Sequence, residues 1–468
     1  MSNNNFDVTV VGGGPGGYHA AIRSAQLGLQ VALVEKDNGT GLAGLGGVCL
    51  NWGCIPSKSL LKNAELVNQI KESEKWGISF EKVDFNFGKA ISRSRDVSNQ
   101  LTQGIGYLIK KNKIHLFEDK AKISGPKEIM LEKSRDIIAS ENIILATGAR
   151  PRSLPNLEIN KSQIITSREA LELSSLPKSI GIVGAGAIGV EFAYLFNAYG
   201  VDVTLFEALD HLVPNEDESI SKELEKIFLD KGIKFELNAK VTKTTVNSSQ
   251  INLEYNVNGQ TKEFSSEKLL VAVGVQANTD DIGLEELGIE MDRGFIKIND
   301  SMQTSVPSIY AVGDVTGKLM LAHVAFAQGI VAAEFINGKT PLPINYSDMP
   351  RCTYCQPQIA SIGLTEKQAK ESGHIIKTSQ FPFKAVGKAV SIGDSEGFIK
   401  LIADNDSGEI LGAHMIGPEV TELVAELGLL KYLEGTGTEI GELVHAHPTL
   451  SEAVKEAALS LNNEAIHF

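Results

Sequence analysis

The chain has 468 residues, with 44 Lys and Arg against 58 Asp and Glu, a formal net charge of −14. That length exceeds what one hydrophobic core organises and implies several domains. The acidic balance disfavours binding to a phosphate backbone, so no nucleic-acid partner is expected. Apolar residues make up 42% and charged residues 22%, as in a folded globular chain rather than a disordered one. No apolar run approaches the roughly twenty residues of a membrane span. The first residues carry neither the basic region nor the apolar block of an export signal. Four cysteines are too few for a disulfide scaffold. In the expected cytoplasmic setting, cysteines bind metal or do chemistry.

In chain order, residues 6–11 are β-branched and apolar and end at a glycine cluster. A small-residue helical pattern follows from Tyr18 to Leu27, closed by Gly28, and a second strand, 31–34, ends at Glu35. This is a β-α-β unit. Residues 60–110 read as long helices, 113–131 alternate like strands, and 142–148 form a short apolar strand ending Ala146-Thr147-Gly148. Pro151 and Pro155 mark a linker. The opening pattern then returns: strand 179–183, turn 184–189, helix Val190–Tyr199 stopped by Gly200, and strand 201–206 ending at Glu207. Residues 215–275 mix a charged helix with strands, and 308–312 is a strand ending Gly313-Asp314. Pro341, Pro343 and Pro350 mark a further boundary, after which antiparallel strands (359–363, 397–403, 410–416) precede helices. The expected class is α/β: two Rossmann-like dinucleotide-binding domains and a C-terminal α+β domain. The expected domains are 1–150, 151–275, 276–346 and 347–468.

The first glycine loop places Gly12, Gly14 and Gly17 in GxGxxG spacing. One glycine makes the tight turn, one lets backbone approach a pyrophosphate, and one lets helix pack on strand. The pyrophosphate sits on the helix N-terminus. Glu35, closing the next strand, can bond a ribose hydroxyl. Gly184, Gly186, Gly189 and Glu207 repeat the arrangement. Glu207 accepts the 2′-hydroxyl of NAD and repels a 2′-phosphate, and no Arg follows it closely, so NAD is preferred to NADP. Two such modules pair most economically as a resident flavin and an exchanging nicotinamide.

Between the modules lies Gly46-Gly-Val-Cys49-Leu-Asn-Trp-Gly-Cys54-Ile-Pro-Ser-Lys58. Two Cys five apart on a regular helix have Cα atoms beyond ~8 Å, too far for a disulfide. Gly53 and Pro56 allow a distorted helix or a helix start that brings the sulfurs together. A helix N-terminus and Lys58 would favour a thiolate. This describes a redox-active dithiol; the alternative is two buried cysteines acting as small hydrophobes. Near the C-terminus, His445-Ala-His447-Pro-Thr449-Leu-Ser-Glu452 offers a base for thiol exchange, with Glu452 holding the imidazole. Thr449-x-x-Glu452 is also capping-box spacing, so Glu452 can instead serve a helix start. Cys352-x-x-Cys355 supplies two metal ligands where zinc needs four, and reads as structural; no metal is expected.

This ordered set of motifs, from Phe6 to the C-terminal helix, resembles the dihydrolipoyl dehydrogenase family of flavin-dependent disulfide oxidoreductases. The resemblance rests on the two glycine loops, the dithiol segment, Ala146-Thr147-Gly148, Glu191, Ala311-Val-Gly-Asp314 and the His447 segment. It implies that Cys49 and Cys54 form the redox disulfide, Cys49 exchanging with substrate and Cys54 facing FAD. It implies that Lys58 lies by the flavin and pairs with Glu191, and that His447 is the base, with Glu452 its partner. Asp314 would hold the ribityl chain; Met320, Leu321, Ala322 and His323 would line the same cofactor. Glu35, Thr147, Gly148 and Ala121 would face FAD, Ala121 standing where the family often has Gly. Glu207, Val241 and Gly274 would face NAD. The base would come from the other subunit of a homodimer. Partners would be lipoyl domains and the acyltransferase core of 2-oxoacid dehydrogenase complexes, or the H protein of the glycine cleavage system. The implied reaction is oxidation of dihydrolipoamide by NAD.

Two departures stand out. The loop from Glu35 to Cys49 is longer than usual. After Gly274, where many relatives have Arg-x-Pro-Asn, this chain has Val275-Gln276-Ala277-Asn278, which bears on NAD affinity. Neither touches the sulfur chemistry. A glutathione reductase would favour NADPH, with arginines after the second module's strand, and a mercuric reductase would need a C-terminal cysteine pair. Neither feature is present. A non-catalytic flavin scaffold would need neither the dithiol nor His447.

Overall fold

The computed structural model describes residues 5–36, 44–248 and 250–468. Residues 1–4, which hold the start of the N-terminal stretch, and 37–43, which hold most of the lengthened loop, lie outside the described residues. The chain divides into two units: 1–60, 88–152 and 274–346 form one, and 61–87, 153–273 and 347–468 the other.

In the first unit, Asn5–Val11 pairs in parallel with Val31–Glu35 on one side and Ile137–Leu145 on the other. Parallel neighbours need a crossover, supplied here by the helix Pro15–Gln26. This helix starts three residues before the expected Tyr18. Proline suits the first helical position because its missing N–H has no partner there in any case. The low helix propensity of Gly16 and Gly17 is overridden by packing. His115–Glu118 extends the sheet beyond Val31–Glu35, Ile309–Ala311 joins Ile137–Leu145 in parallel, and Glu128–Leu131 with Ala121–Gly125 completes it antiparallel. Side chains alternate across the sheet. Val10, Leu33 and Ile144 pack with Ala20, Ile109 and Val331, whereas Val11, Val34, Ile143 and Leu145 pack with Ile123, Ile129 and Ile309. Both faces are buried, which is why these strands read as continuous apolar runs.

In the second unit a five-stranded parallel sheet runs Lys234–Glu236, Asp202–Phe206, Ser179–Val183, Lys268–Val271, Ile164–Ile165. Its crossover helix is Ala187–Ala198, again three residues earlier than the expected Val190. A three-stranded antiparallel sheet (Ala239–Val246, Ile251–Val257, Gln260–Ser266) follows. The C-terminal part is a five-stranded antiparallel sheet ordered Arg351–Thr353, Gln358–Gly363, Ile410–Gly417, Phe398–Asp404, Ile376–Pro382. The helices Val420–Tyr432, Gly437–Glu442 and Glu452–Ser460 follow it. Their apolar faces share one core with the sheet through Leu401, Met415, Leu427 and Val454. The α/β expectation, with two dinucleotide modules and a C-terminal α+β part, is met.

A buried polar cluster ties this C-terminal sheet to the helix Glu218–Asp230. Lys400 Nζ donates to Asp217 Oδ1 at 2.8 Å and to Glu366 Oε2 at 2.6 Å. Asp217 also caps that helix by accepting from the Ser219 N–H at 3.1 Å.

Candidate active site

The two glycine loops have the same backbone. Gly12 and Gly184 have φ of +106° and +99°, and a Cβ on either would stand 2.3 and 2.4 Å from the oxygens of Ala146 and Ala272. A Cβ at Gly17 or Gly189 would stand 1.8 and 2.0 Å from the oxygens of Gly12 and Gly184. Gly14 and Gly186 occupy the N-cap positions, and neither helix has a side-chain cap. The uncapped N–H groups of each first turn are thus free to receive an anionic pyrophosphate. The closing carboxylates repeat as well. Glu35 Oε2 accepts from the Gly13 N–H at 2.5 Å, and Glu207 Oε2 from the Ala185 N–H at 2.7 Å. Glu207 Oε1 also accepts from the Leu209 N–H at 3.0 Å. Burial pushes the Glu35 carboxyl up to about 7, against the Gly13 N–H and Lys36, which lower it. A buried carboxylate at this place fits the hydroxyls of a ribose.

The modules differ in what covers them. A Cβ on Gly14 would be 3.7 Å from Gly47 Cα, whereas one on Gly186 would meet nothing within 4 Å among the described residues. The dithiol segment thus packs on the first loop, as suits a resident cofactor.

That segment is seated on the first loop by backbone. Gly46 N–H donates to Gly13 O at 2.8 Å. Gly46 and Gly47 have φ of +91° and +59°, and a Cβ on Gly47 would lie 2.7 Å from Gly14 Cα. Only glycine permits both the handedness and the approach. The short helix Gly47–Trp52 carries Cys49, Gly53 leaves helical geometry at φ −142° and ψ −112°, and Cys54 opens the helix Cys54–Lys71. A Cβ on Gly53 would stand 3.2 Å from Cys49 Cα. The break brings the Cα atoms of Cys49 and Cys54 to 4.7 Å, and the two are joined as a disulfide. The dithiol reading holds, and that of two separate buried thiols is overturned. Lys58 follows one turn after Cys54.

Asn51, in the same helix, is buried and donates to Leu45 O and Gly47 O, both at 3.0 Å. Its carbonyl accepts from Arg95, whose guanidinium lies 4.8 Å from the centre of the Trp52 ring. Thr102 Oγ1 donates to Asn51 Oδ1 at 3.3 Å. Arg95 and Thr102 escaped the sequence reading because they sit on the long helix Phe87–Lys111 with no local signal.

The helix Ala322–Ile336 lies against the helix Pro15–Gln26 through Gly329, where a Cβ would be 2.5 Å from Gly16 O. Met320 and Leu321 precede its first turn, and Ala322 and His323 begin it, with no side-chain cap. A second bare helix N-terminus therefore lies in the same unit. Asp314 lies in the turn Gly313–Thr316, and burial pushes its carboxyl up. Gln328 is buried; its oxygen accepts from the Gly313 N–H at 2.6 Å and its amide donates to the Tyr346 hydroxyl at 2.9 Å, holding that turn. Thr147 Oγ1 donates to Asn278 O at 2.8 Å, and Asn278 N–H donates to Gly148 O at 3.0 Å. The Ala121 side chain packs in the core with Ile123 and Ile129.

In the second unit, Val241 lies at a register shift in its strand and packs beside Val183 and Val271. Gly274, just past the strand Lys268–Val271 and the first residue of the last segment of the first unit, has φ +95°. Glu191 is buried on the helix Ala187–Ala198 and accepts from the Tyr354 N–H at 2.9 Å. Cys355 is buried with its thiol 3.3 Å from Pro357 O, and Cys352 is half-buried.

His447 Nδ1 lies 2.9 Å from Glu452 Oε1, while Glu452 Oε2 accepts from the Thr449 N–H at 2.9 Å. Glu452 therefore orients the imidazole with one oxygen and holds the Thr449 backbone with the other, but the capping box that its spacing offered does not form: the helix Glu452–Ser460 has Ser451 as its N-cap with no side-chain cap, and the Thr449 hydroxyl donates to Ala446 O at 2.7 Å. Burial would raise the Glu452 carboxyl, but the Thr449 N–H and His447 hold it below its ordinary range. The His447 side chain is 76% exposed. His445, by contrast, is buried, with Nε2 2.8 Å from Glu426 Oε1.

A disulfide seated on the glycine loop of one dinucleotide module, in a chain that carries a second such module, defines a pyridine nucleotide-linked disulfide chemistry. Residues 6–329 match the family model of the pyridine nucleotide-disulphide oxidoreductases, and 349–458 match that family's dimerisation domain. The chain belongs to the pyridine nucleotide-disulphide oxidoreductase family. It is 45% identical to the dihydrolipoyl dehydrogenase of Bacillus subtilis, over 99% of both chains. It is 41% identical to the dihydrolipoyl dehydrogenase of Zymomonas mobilis, again over 99% of each. Among solved structures, LpdA from Mycobacterium tuberculosis superposes with a TM-score of 0.89 at 25% identity, over 97% of this chain and 99% of that one. The HOCl-induced flavoprotein disulfide reductase RclA from Escherichia coli gives 0.85 at 27%, with the same coverage. The family resemblance read from the motifs is borne out. No helix among the described residues is long and apolar enough to cross a membrane.

Proposed function

We propose that this chain works as a homodimeric dihydrolipoyl dehydrogenase, oxidising the dihydrolipoyl groups of 2-oxoacid dehydrogenase complexes or of the glycine cleavage H protein at the expense of NAD. The observation that carries the reading is the Cys49–Cys54 disulfide, anchored by backbone to the glycine loop of the first module.

His447, oriented by Glu452, removes a proton from one substrate thiol. The thiolate attacks Cys49 Sγ, the Cys49–Cys54 bond breaks, and Cys54 leaves as a thiolate at the start of its helix, where the helix dipole and Lys58 favour negative charge. The second substrate thiolate attacks the substrate sulfur of the mixed disulfide, closes the lipoyl ring and releases Cys49. Cys49 and Cys54 re-form their disulfide by giving up an electron pair, and a bound FAD would supply the two-electron chemistry that carries that pair to NAD. The residues of the first unit that would hold it are Gly12, Gly14, Gly17, Glu35, Thr147, Gly148, Asp314 and Met320–His323, with Ala121 contributing backbone. Gly184, Gly186, Gly189, Glu207, Val241 and Gly274 would receive NAD. The exposed His447 imidazole serves the disulfide of the partner chain.

The test is a steady-state assay of the purified protein with dihydrolipoamide and NAD, beside one with NADPH and glutathione disulfide. NADH formation in the first alone supports the reading. Turnover in the second alone keeps the dithiol but overturns substrate and nucleotide, and yellow protein inert in both would favour a flavin scaffold.

A further inference from the structure

The middle residue of each glycine loop is gripped on both sides, and in the same way. Gly13 N–H donates to Glu35, and Gly13 O accepts from the Gly46 N–H at 2.8 Å. In the second loop Ala185 N–H donates to Glu207, and Ala185 O accepts from the Val213 N–H at 2.9 Å. The segment at Val213 thus holds in the second module the place that the dithiol segment holds in the first. Both donors have left-handed backbone, Gly46 at φ +91° and Val213 at φ +44°. For glycine that conformation is free. For a β-branched residue it is an outlier, and Pro214 after it narrows the choice further. A side chain stays in such a turn only where its surroundings over-determine it. Here they do. Leu212 and Val213 are buried, at 0% and 3% exposure. Leu212 N–H donates to Glu225 Oε1 at 2.9 Å, and Glu216 N–H donates to Val213 O at 2.9 Å. Glu225 sits in the helix Glu218–Asp230, whose start is fixed through Asp217 by Lys400 and by the Glu366 N–H, at 2.8 and 3.0 Å. The Glu225 side chain therefore carries the anchorage of that helix into the turn.

We propose that Glu225 is a positioning residue for NAD: its bond to the Leu212 N–H keeps Val213 in the left-handed turn, and so keeps the Ala185–Gly186 peptide fixed for the pyrophosphate before the nucleotide arrives. This deepens, and rests on, the assignment of the second loop to NAD. Without the bond, a buried N–H loses its partner and the strain at Val213 is no longer opposed. The turn relaxes, Ala185 O loses its donor, and the apparent affinity falls in proportion to the molecules that still hold the loop in place.

The experiment compares flavin-bearing wild type with Glu225→Asp and Glu225→Gln. Aspartate keeps the charge but is one methylene short of the bond; glutamine drops the charge but keeps an oxygen that accepts it. Two quantities are read: the KM for NAD at saturating dihydrolipoamide, and the rate at which dihydrolipoamide alone bleaches the flavin. Residues that act on a ligand through others change its binding by roughly 2- to 30-fold. Glu225→Asp should raise the KM for NAD by that amount and leave the bleaching rate unchanged, while Glu225→Gln should stay within twofold of wild type in both. A merely structural residue would lower flavin content and slow both half-reactions together. An unmoved KM for NAD in Glu225→Asp, or an equal rise in Glu225→Gln, overturns the proposal. If Glu225→Asp yields no flavin-bearing protein, Glu225→Ala, which leaves no shorter charge in the turn, is read by the same measure. Gly186→Ala separates the two levels. A raised KM for NAD there with Glu225→Asp unmoved sinks only the role of Glu225; an unmoved KM in both sinks the nucleotide assignment, and this proposal with it.

Discussion

Replacing Gly186 by alanine isolates the function of the second module from its folding. Gly186 has φ −71° and ψ −174°, a conformation alanine adopts freely, and its Cβ would meet nothing within 4 Å among the described residues. The fold gains about 0.4–1 kcal/mol from the stiffer unfolded chain and loses a few tenths at the N-cap, where glycine outranks alanine. Stability should therefore change little. The added methyl instead occupies the surface on which backbone approaches the pyrophosphate. Forcing a methyl into a close contact costs roughly 1–3 kcal/mol, or about 5- to 150-fold in NAD affinity. Gly189→Ala makes the contrast: its Cβ falls 2.0 Å from Gly184 O, so the helix must move and the protein loses stability. The assay is the KM for NAD at saturating dihydrolipoamide, with flavin content and thermal midpoint measured on the same samples. A KM for NAD within twofold of wild type in stable Gly186→Ala would refute the assignment of this loop to the nucleotide.

Cys49→Ser should abolish dihydrolipoamide oxidation and leave yellow, flavin-bearing protein, as read by activity and visible absorbance; retained turnover would remove Cys49 from the exchange. In cofactor-free protein, burial raises the Glu35 carboxyl from 4.5 to about 7. The folded state therefore holds this proton more tightly than the unfolded one, and stability is lost as pH rises through that window. The loss is roughly 3 kcal/mol, measurable by urea unfolding between pH 4.5 and 8, and Glu35→Gln should flatten that dependence. Lys400→Met leaves Asp217 and Glu366 without the buried cation 2.8 and 2.6 Å away. It should cost about 3–5 kcal/mol, seen as a lower denaturant midpoint with no change in the slope.

The two nucleotide modules were legible in the sequence because everything that defines them is local: an apolar strand, glycines in fixed spacing, a helix and an acid at the next strand's end. Their helix starts were misplaced by three residues at Pro15 and Ala187. Helical periodicity cannot report a first turn built from glycines kept for close packing. The redox dithiol was legible in part: Gly53 and Pro56 allowed a break that brings the two cysteines together, and the family resemblance supplied the pairing. The tertiary structure decided the rest. It set the dithiol segment on the first loop through the Gly46–Gly13 bond and the Gly47–Gly14 approach, brought Arg95 and Thr102 to Asn51 from a distant helix, and turned Glu452 to the imidazole and the Thr449 backbone in place of a capping box. It also folded His467 back onto Glu456. These contacts join backbone and buried polar atoms from separate elements. Their energy depends on distance and desolvation in the folded chain, for which neither composition nor periodicity carries a signal.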